Sequence, residues 1–144
     1  MLLCRTSRRS FIKQTGGAVT GLALTGCAGV AIHAKTWRNG RIDVYLSDHP
    51  ALAEAGGRIL VGAEGLEGPV LLLNNGDSFA AVFAVCTHLQ CTLRPSGDFL
   101  RCPCHGSTYT LSGEVQRGPA ERSLVCFKTS RSGDTVSILI DQES

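Results

Sequence analysis

The chain shows no internal repeat, no low-complexity linker and few stretches of helical periodicity, which argues against repeat arrays and toward turn-rich β structure. At 144 residues it lacks room for much beyond one domain. It also lacks a basic cluster outside its first 13 residues, where Arg5, Arg8, Arg9 and Lys13 lie. Residues 1–27 hold no acid, so the remainder carries 10 basic against 12 acidic residues, a net −2 hidden beneath the formal +2 of the whole chain. A mildly acidic body gives no footing for nucleic acid. What the chain has in quantity is glycine, 17 residues, and an apolar content of 43%, enough for an ordinary small core. Very small domains often add a metal or a disulfide as a staple.

The N-terminus reads as an address. Ser7-Arg8-Arg9-Ser10-Phe11-Ile12-Lys13 precedes residues 16–34, a run without one charged side chain. A basic start before an apolar, Gly/Ala/Thr-rich run has the form of an export signal. The paired arginines with Phe, Ile and Lys behind them resemble the twin-arginine signal, whose cargo is exported already folded. Leu24-Thr25-Gly26-Cys27 resembles the bacterial lipobox, in which Cys27 would be diacylated and become the new N-terminus. The apolar run is close to the ~20 residues needed to cross a bilayer, so an uncleaved anchor helix is the second option and cleavage after Ala34 the third. The expected division is therefore a signal or anchor over residues 1–34 and one domain over 35–144, on the extracytoplasmic side and tethered to the membrane in the first two cases.

From residue 35 onward short strands alternate with turns. Residues 42–46 alternate apolar and polar, as a half-buried strand does. Apolar bursts at 58–61, 70–73 and 79–85 predict more deeply buried strands, and Asn75-Gly76-Asp77 is a hairpin signal between the last two. Further strands are predicted at 99–101, 108–111, 114–116, 123–129 and 135–140, with turns at Pro95-Ser96-Gly97-Asp98, Ser112-Gly113 and Gly133-Asp134. Residues 51–55 suggest a brief helical turn. The expected fold class is all-β, a small antiparallel sandwich or barrel.

The chemistry is concentrated in Cys86-Thr87-His88-Leu89-Gln90-Cys91 and Cys102-Pro103-Cys104-His105-Gly106-Ser107, which hold four of the seven cysteines and two of the four histidines. Cys86 and His88 are two apart, Cys102 and His105 three apart, and thirteen residues separate His88 from Cys102, enough for a hairpin whose two tips face each other. Thiolates suit soft iron, and imidazole separates a Rieske-type [2Fe–2S] centre from an all-cysteine one. A zinc ion on the same Cys2His2 set, or two plain disulfides with incidental histidines, are the alternatives.

The pattern C-T-H-L-x-C followed by C-P-C-H-G-S-x-Y resembles the Rieske proteins of cytochrome bc-type complexes, over roughly residues 60–140. The resemblance implies the Rieske fold with a cluster-binding subdomain of two loops. It implies Cys86, His88, Cys102 and His105 as ligands of a [2Fe–2S] cluster. Cys91 and Cys104 are left over, one per loop; the resemblance makes them a disulfide, as an oxidising compartment also favours. It gives the hydroxyls of Ser107 and Tyr109 hydrogen bonds to sulfur that raise the potential. Gly118-Pro119-Ala120 is similar to the start of the family's proline-rich loop, with Glu121 where a second proline is usual. Gln90 stands where the family has Gly.

The function implied is one-electron transfer, in a quinol-oxidising respiratory complex beside a cytochrome b and a c-type cytochrome. An electron relay for an exported molybdenum oxidoreductase of the arsenite oxidase kind, or a stand-alone redox protein, is the other reading. Nothing in the chain supplies the large substrate-binding domain of a Rieske oxygenase. Cys126 is expected as a buried free thiol in mid-strand, His33 and His49 as surface or linker residues, and Trp37 as a packing residue near the tether.

Overall fold

A computed structural model describes residues 32–35 and 37–140 of the protein; the twin-arginine stretch and Cys27 lie outside the described residues. The described residues form twelve strands: β1 (Ile32–Lys35), β2 (Trp37–Arg38), β3 (Arg41–Tyr45), β4 (Arg58–Ala63), β5 (Val70–Asn74), β6 (Phe79–Phe83), β7 (Arg94–Ser96), β8 (Phe99–Arg101), β9 (Thr108–Thr110), β10 (Val115–Arg117), β11 (Cys126–Ser132) and β12 (Thr135–Leu139). Eight form one curled sheet in the order β1-β4-β5-β6-β11-β12-β3-β2, and four form a smaller one in the order β10-β9-β8-β7. All pairings are antiparallel except that of β1 with β4. The fold is all-β, as the turn-rich sequence leads one to expect.

Side chains alternate across a strand, and β4–β6 use both faces. Ile59, Val61, Val70, Leu72 and Ala81 point into a core shared with Ile42, Val44, Val136 and Ile138. Their neighbours Leu60, Leu71 and Val82 point the other way, into a second core with Leu93, Leu100, Cys102 and Tyr109 of the loop region. A strand buried on both sides must be apolar without interruption. This is why 58–61, 70–73 and 79–85 read as bursts while 42–46 alternates. Leu93, Leu100 and Tyr109 are fully buried. At about 1.5–3 kcal/mol for each large apolar side chain taken from water, they make a rigid floor beneath the loops.

The β5–β6 hairpin turns where Asn75-Gly76-Asp77 predicts. Buried Asn74 satisfies its amide there: Nδ2 donates to the Leu52 carbonyl at 2.9 Å, and Oδ1 accepts from the Gly76 N–H at 2.7 Å.

Several expectations are corrected. β6 ends at Phe83, with Val85 in an isolated bridge to Thr92 at the base of the first motif loop. Residues 94–96 pair with β8, which confines the turn expected over 95–98 to Gly97 and Asp98. The brief helical turn is a pair of 3-10 turns, Leu46–Asp48 and Pro50–Leu52. The strand expected over 123–129 begins three residues later, so Cys126 opens β11 instead of lying within it. It is exposed, with its thiol 3.3 Å from the Ser112 carbonyl. His49, the residue that joins the two 3-10 turns, is buried, not on the surface; its Nε2 has no partner among the described residues, and the His33 ring meets it edge-on at 4.5 Å. β1 spans the boundary drawn between residues 34 and 35. No helix among the described residues is long and apolar enough to cross a membrane.

Candidate metal centre

The two motif loops are built alike. In the first, the Cys86 N–H donates to the Cys91 carbonyl at 2.9 Å, and the Gln90 N–H to the Cys86 carbonyl at 2.9 Å. In the second, the Cys102 N–H donates to the Ser107 carbonyl at 2.8 Å, and the Gly106 N–H to the Cys102 carbonyl at 3.1 Å. Both loops therefore reverse at the fourth residue after the cysteine, in the left-handed region: Gln90 has φ +57° and Gly106 φ +78°. That conformation costs any residue with a Cβ, which explains why Gly is the fitting residue at position 90 and Gln a strained one.

Loop geometry sorts the four donors into an inner and an outer pair. Cys86 and Cys102 are free thiols with 1% exposure each. His88 and His105 are exposed, their rings nearly perpendicular with centroids 5.0 Å apart. Cys91 and Cys104 are joined in a disulfide that ties the loops together. Cys102 Sγ lies within 4.8 Å of its sulfurs, which are spent on each other. The reading of two plain disulfides is thereby excluded, since Cys86 and Cys102 stay unpaired.

The surroundings of Cys86 favour the anion. Burial pushes its thiol pKa up, but contacts with the Tyr109 hydroxyl, the His88 backbone, Cys102 and Ser107 outweigh burial and hold it below the ordinary thiol value. Tyr109 Oη lies 3.3 Å from Cys86 Sγ and accepts from the Thr87 N–H at 3.1 Å. Burial first, and the neighbouring Cys86 second, raise the phenol pKa, so Tyr109 keeps its proton for donation. Ser107 is fully buried and its Oγ accepts from the Ala120 N–H at 3.1 Å.

Thr87, to which the sequence gives no role, links three parts of the site. Its hydroxyl donates to the Arg122 carbonyl at 2.7 Å and lies 3.1 Å from Tyr109 Oη. Residues 118–122, entered through a cis Gly118–Pro119 peptide, are thus pinned to the first loop by Thr87 and to the second by Ser107. Pro119, Ala120, Glu121 and Arg122 line a cleft with Thr87 and His88. The proline-rich loop therefore starts where the resemblance puts it.

Two dry sulfurs beside two wetted imidazoles fit a group with a sulfur-held inner metal and a nitrogen-held outer one. The Rieske [2Fe-2S] domain family matches residues 48–128. The chain belongs to the Rieske family. A cytochrome b6-f complex iron-sulfur subunit of Synechocystis is 34% identical to it, over 92% of this chain and 83% of that one. Another, from Prochlorococcus marinus, is 36% identical over 87% of this chain, and there the match spans 66% of the relative's length. Among solved structures, the cyanobacterial plasma membrane Rieske protein of Synechocystis is 30% identical with a TM-score of 0.54, covering 65% of this chain and 93% of that one.

As a Rieske protein the chain carries a [2Fe–2S] cluster and transfers one electron at a time, so zinc is set aside. When bound, such a cluster with two imidazole ligands takes and releases a single electron at about −150 to +300 mV. The protein's part is to keep the sulfur side dry, offer hydroxyl protons to it, and expose the imidazole side.

Proposed function

We propose that Cys86 and Cys102 hold the inner iron and His88 and His105 the outer one, with Ser107 and Tyr109 raising the potential. On this reading the protein is the electron-transfer subunit of a quinol-oxidising bc-type complex, taking electrons from quinol beside a cytochrome b and passing them to a c-type cytochrome. The observation that carries it is the pair of exposed imidazoles, 5.0 Å apart, above two thiols with 1% exposure: one side of the site is sealed and the other meets a partner. With the cluster bound, the exposed imidazoles of His88 and His105 would be the groups within reach of a quinol's proton, and the cluster would supply the one-electron chemistry. The likeness to b6-f iron-sulfur subunits supports membership of such a complex.

We place the domain outside the cytoplasm, exported by the twin-arginine route and held at the membrane through lipidated Cys27 or an uncleaved helix. Cleavage after Ala34 would cut β1 away from β4, which supports attachment over release. Two departures from the family weigh toward the second reading, a relay for a molybdenum oxidoreductase: Glu121 lines the cleft that holds His88, and Gln90 follows His88 by two residues in the first motif. Purification of the full chain from native membranes distinguishes them. The dithionite-reduced preparation gives a Rieske-type EPR signal and brings a b-type haem protein with it. A molybdenum subunit in its place overturns the quinol reading, and a missing signal overturns the ligand assignment.

A further inference from the structure

Register across the small sheet sets Arg94 opposite Arg101, Arg101 opposite Thr108, and Thr108 opposite Arg117. Residues directly opposed in antiparallel strands project from the same face. A bulge between Val115 and Arg117 breaks the register there, yet Arg117 borders the same cleft as Arg101 and Thr108, so this edge of the sheet carries three guanidinium groups around one hydroxyl. All three arginines are exposed, and none makes an ion pair or a side-chain hydrogen bond among the described residues. Like charges set directly opposite destabilise a sheet, so folding gives no reason for Arg94 to face Arg101.

The row runs up to the imidazole side of the site. Arg101, Thr108 and Arg117 border a polar cleft of about 380 Å³ whose wall includes His105. Arg94 and Arg101 border the next, of about 350 Å³, with Pro103 of the second motif. Residues 86–125 hold four basic residues against three acidic ones, and the other described residues six basic against seven acidic, so the cluster-binding end is the more positive of the two.

From β7 to β10 the row crosses three strand spacings, about 14 Å at 4.7–4.9 Å each. One phosphate or carboxylate cannot cover that length, and an acidic protein face can. We propose that Arg94, Arg101 and Arg117 form the docking edge for a redox protein with an acidic surface, which they draw up to His105. This rests on the reading of His105 as the exposed end of the electron path. Charges at an interface rim act mainly on the rate of encounter and weaken with salt.

The test uses the full-length, cluster-loaded chain in non-ionic detergent. Its reduced form is mixed in a stopped-flow instrument with cytochrome c, a basic protein, or with succinylated cytochrome c, in which carboxylates replace the lysine charges around the same haem. The wild type reduces the succinylated form faster, and salt suppresses that rate. The triple variant Arg94→Gln/Arg101→Gln/Arg117→Gln loses about tenfold of it at low salt, a typical size for electrostatic steering, and does not slow with the basic form. Lys128→Gln/Arg131→Gln, on the large sheet, leaves the rate within about twofold, because the effect falls away with distance. A triple variant that keeps its Rieske EPR signal and reacts with succinylated cytochrome c as the wild type does overturns the proposal. So does a loss matched by the control pair, or unchanged rates with binding to phosphatidylglycerol over phosphatidylcholine vesicles that disappears in the triple variant. A wild type without the EPR signal overturns instead the ligand reading on which the proposal rests.

Discussion

Tyr109 shows how much one buried hydroxyl decides. It has one proton to donate and two acceptors within reach, Cys86 Sγ at 3.3 Å and Thr87 Oγ1 at 3.1 Å. The Thr87 hydroxyl spends its own proton on the Arg122 carbonyl, and the Thr87 N–H donates to Tyr109 from behind. The phenol is thereby held in place, with its one proton shared between Thr87 Oγ1 and sulfur. A hydrogen bond to sulfur strengthens as negative charge accumulates there, so it favours the reduced protein. Tyr109→Phe is expected to lower the midpoint potential. If the bond differs by about 1 kcal/mol between redox states, the shift is about 40 mV for a one-electron couple. An EPR-monitored redox titration measures it. A potential equal to the wild type's would mean that the proton is directed at Thr87. The motif makes Tyr109 legible from sequence. Thr87 is not, because its partners Arg122 and Tyr109 come together only in the folded chain.

At the scale of elements, the two loops are equivalent in hydrogen bonding but not in side chains. Cys86 and Cys102 start each loop, and Gln90 and Gly106 reverse it with positive φ. A left-handed residue with a Cβ costs about 1–2 kcal/mol, part of which glycine gives back as chain entropy in the unfolded state. Gln90→Gly is therefore expected to raise the unfolding free energy of the loaded protein by about 0.5–1 kcal/mol, read by denaturant titration. Gln90→Ala keeps the Cβ and brings no gain, and equal effects of the two changes would rule out backbone strain as the cause. The loops were legible because cysteine and histidine spacing marks them. So were β4, β5 and β6, whose unbroken apolar runs reflect burial on both faces. β1, β2 and β7 escaped: all are short edge strands of two to four residues, too short for a period to show, and β1 is paired only by the distant β4. The arginine row escaped for a related reason, since Arg94, Arg101 and Arg117 become neighbours only through the register of four strands.

For the whole molecule, the one buried polar atom without a partner among the described residues is His49 Nε2, remote in sequence from both motif loops. Burial, then the charges of Lys35 and His33, lower its pKa, while Asp48 opposes them. Lys35 and His33 both lie on β1, the edge strand that follows the N-terminal segment, and Lys35 Nζ is 3.6 Å from Asp48 Oδ2. In the unfolded chain His49 titrates near its ordinary value of 6.5. As pH falls below that value, the unfolded state takes up a proton that the folded state refuses, and the unfolding free energy declines. The decline ends below the lowered folded-state pKa, where both states carry the proton. Above 6.5 both are neutral and His49 adds no slope. Comparing denaturant unfolding of the wild type and His49→Phe between pH 7.5 and 5 isolates this contribution, because His88 and His105 are common to both. The difference between the two proteins should change with pH below 6.5 and stay constant above it; a difference constant throughout would mean that His49 finds a proton acceptor in the folded protein. A protonated His49 would repel Lys35, so acidification should first weaken hydrogen-exchange protection in β1 and its partner β4, ahead of the loops that hold the electron-transfer site.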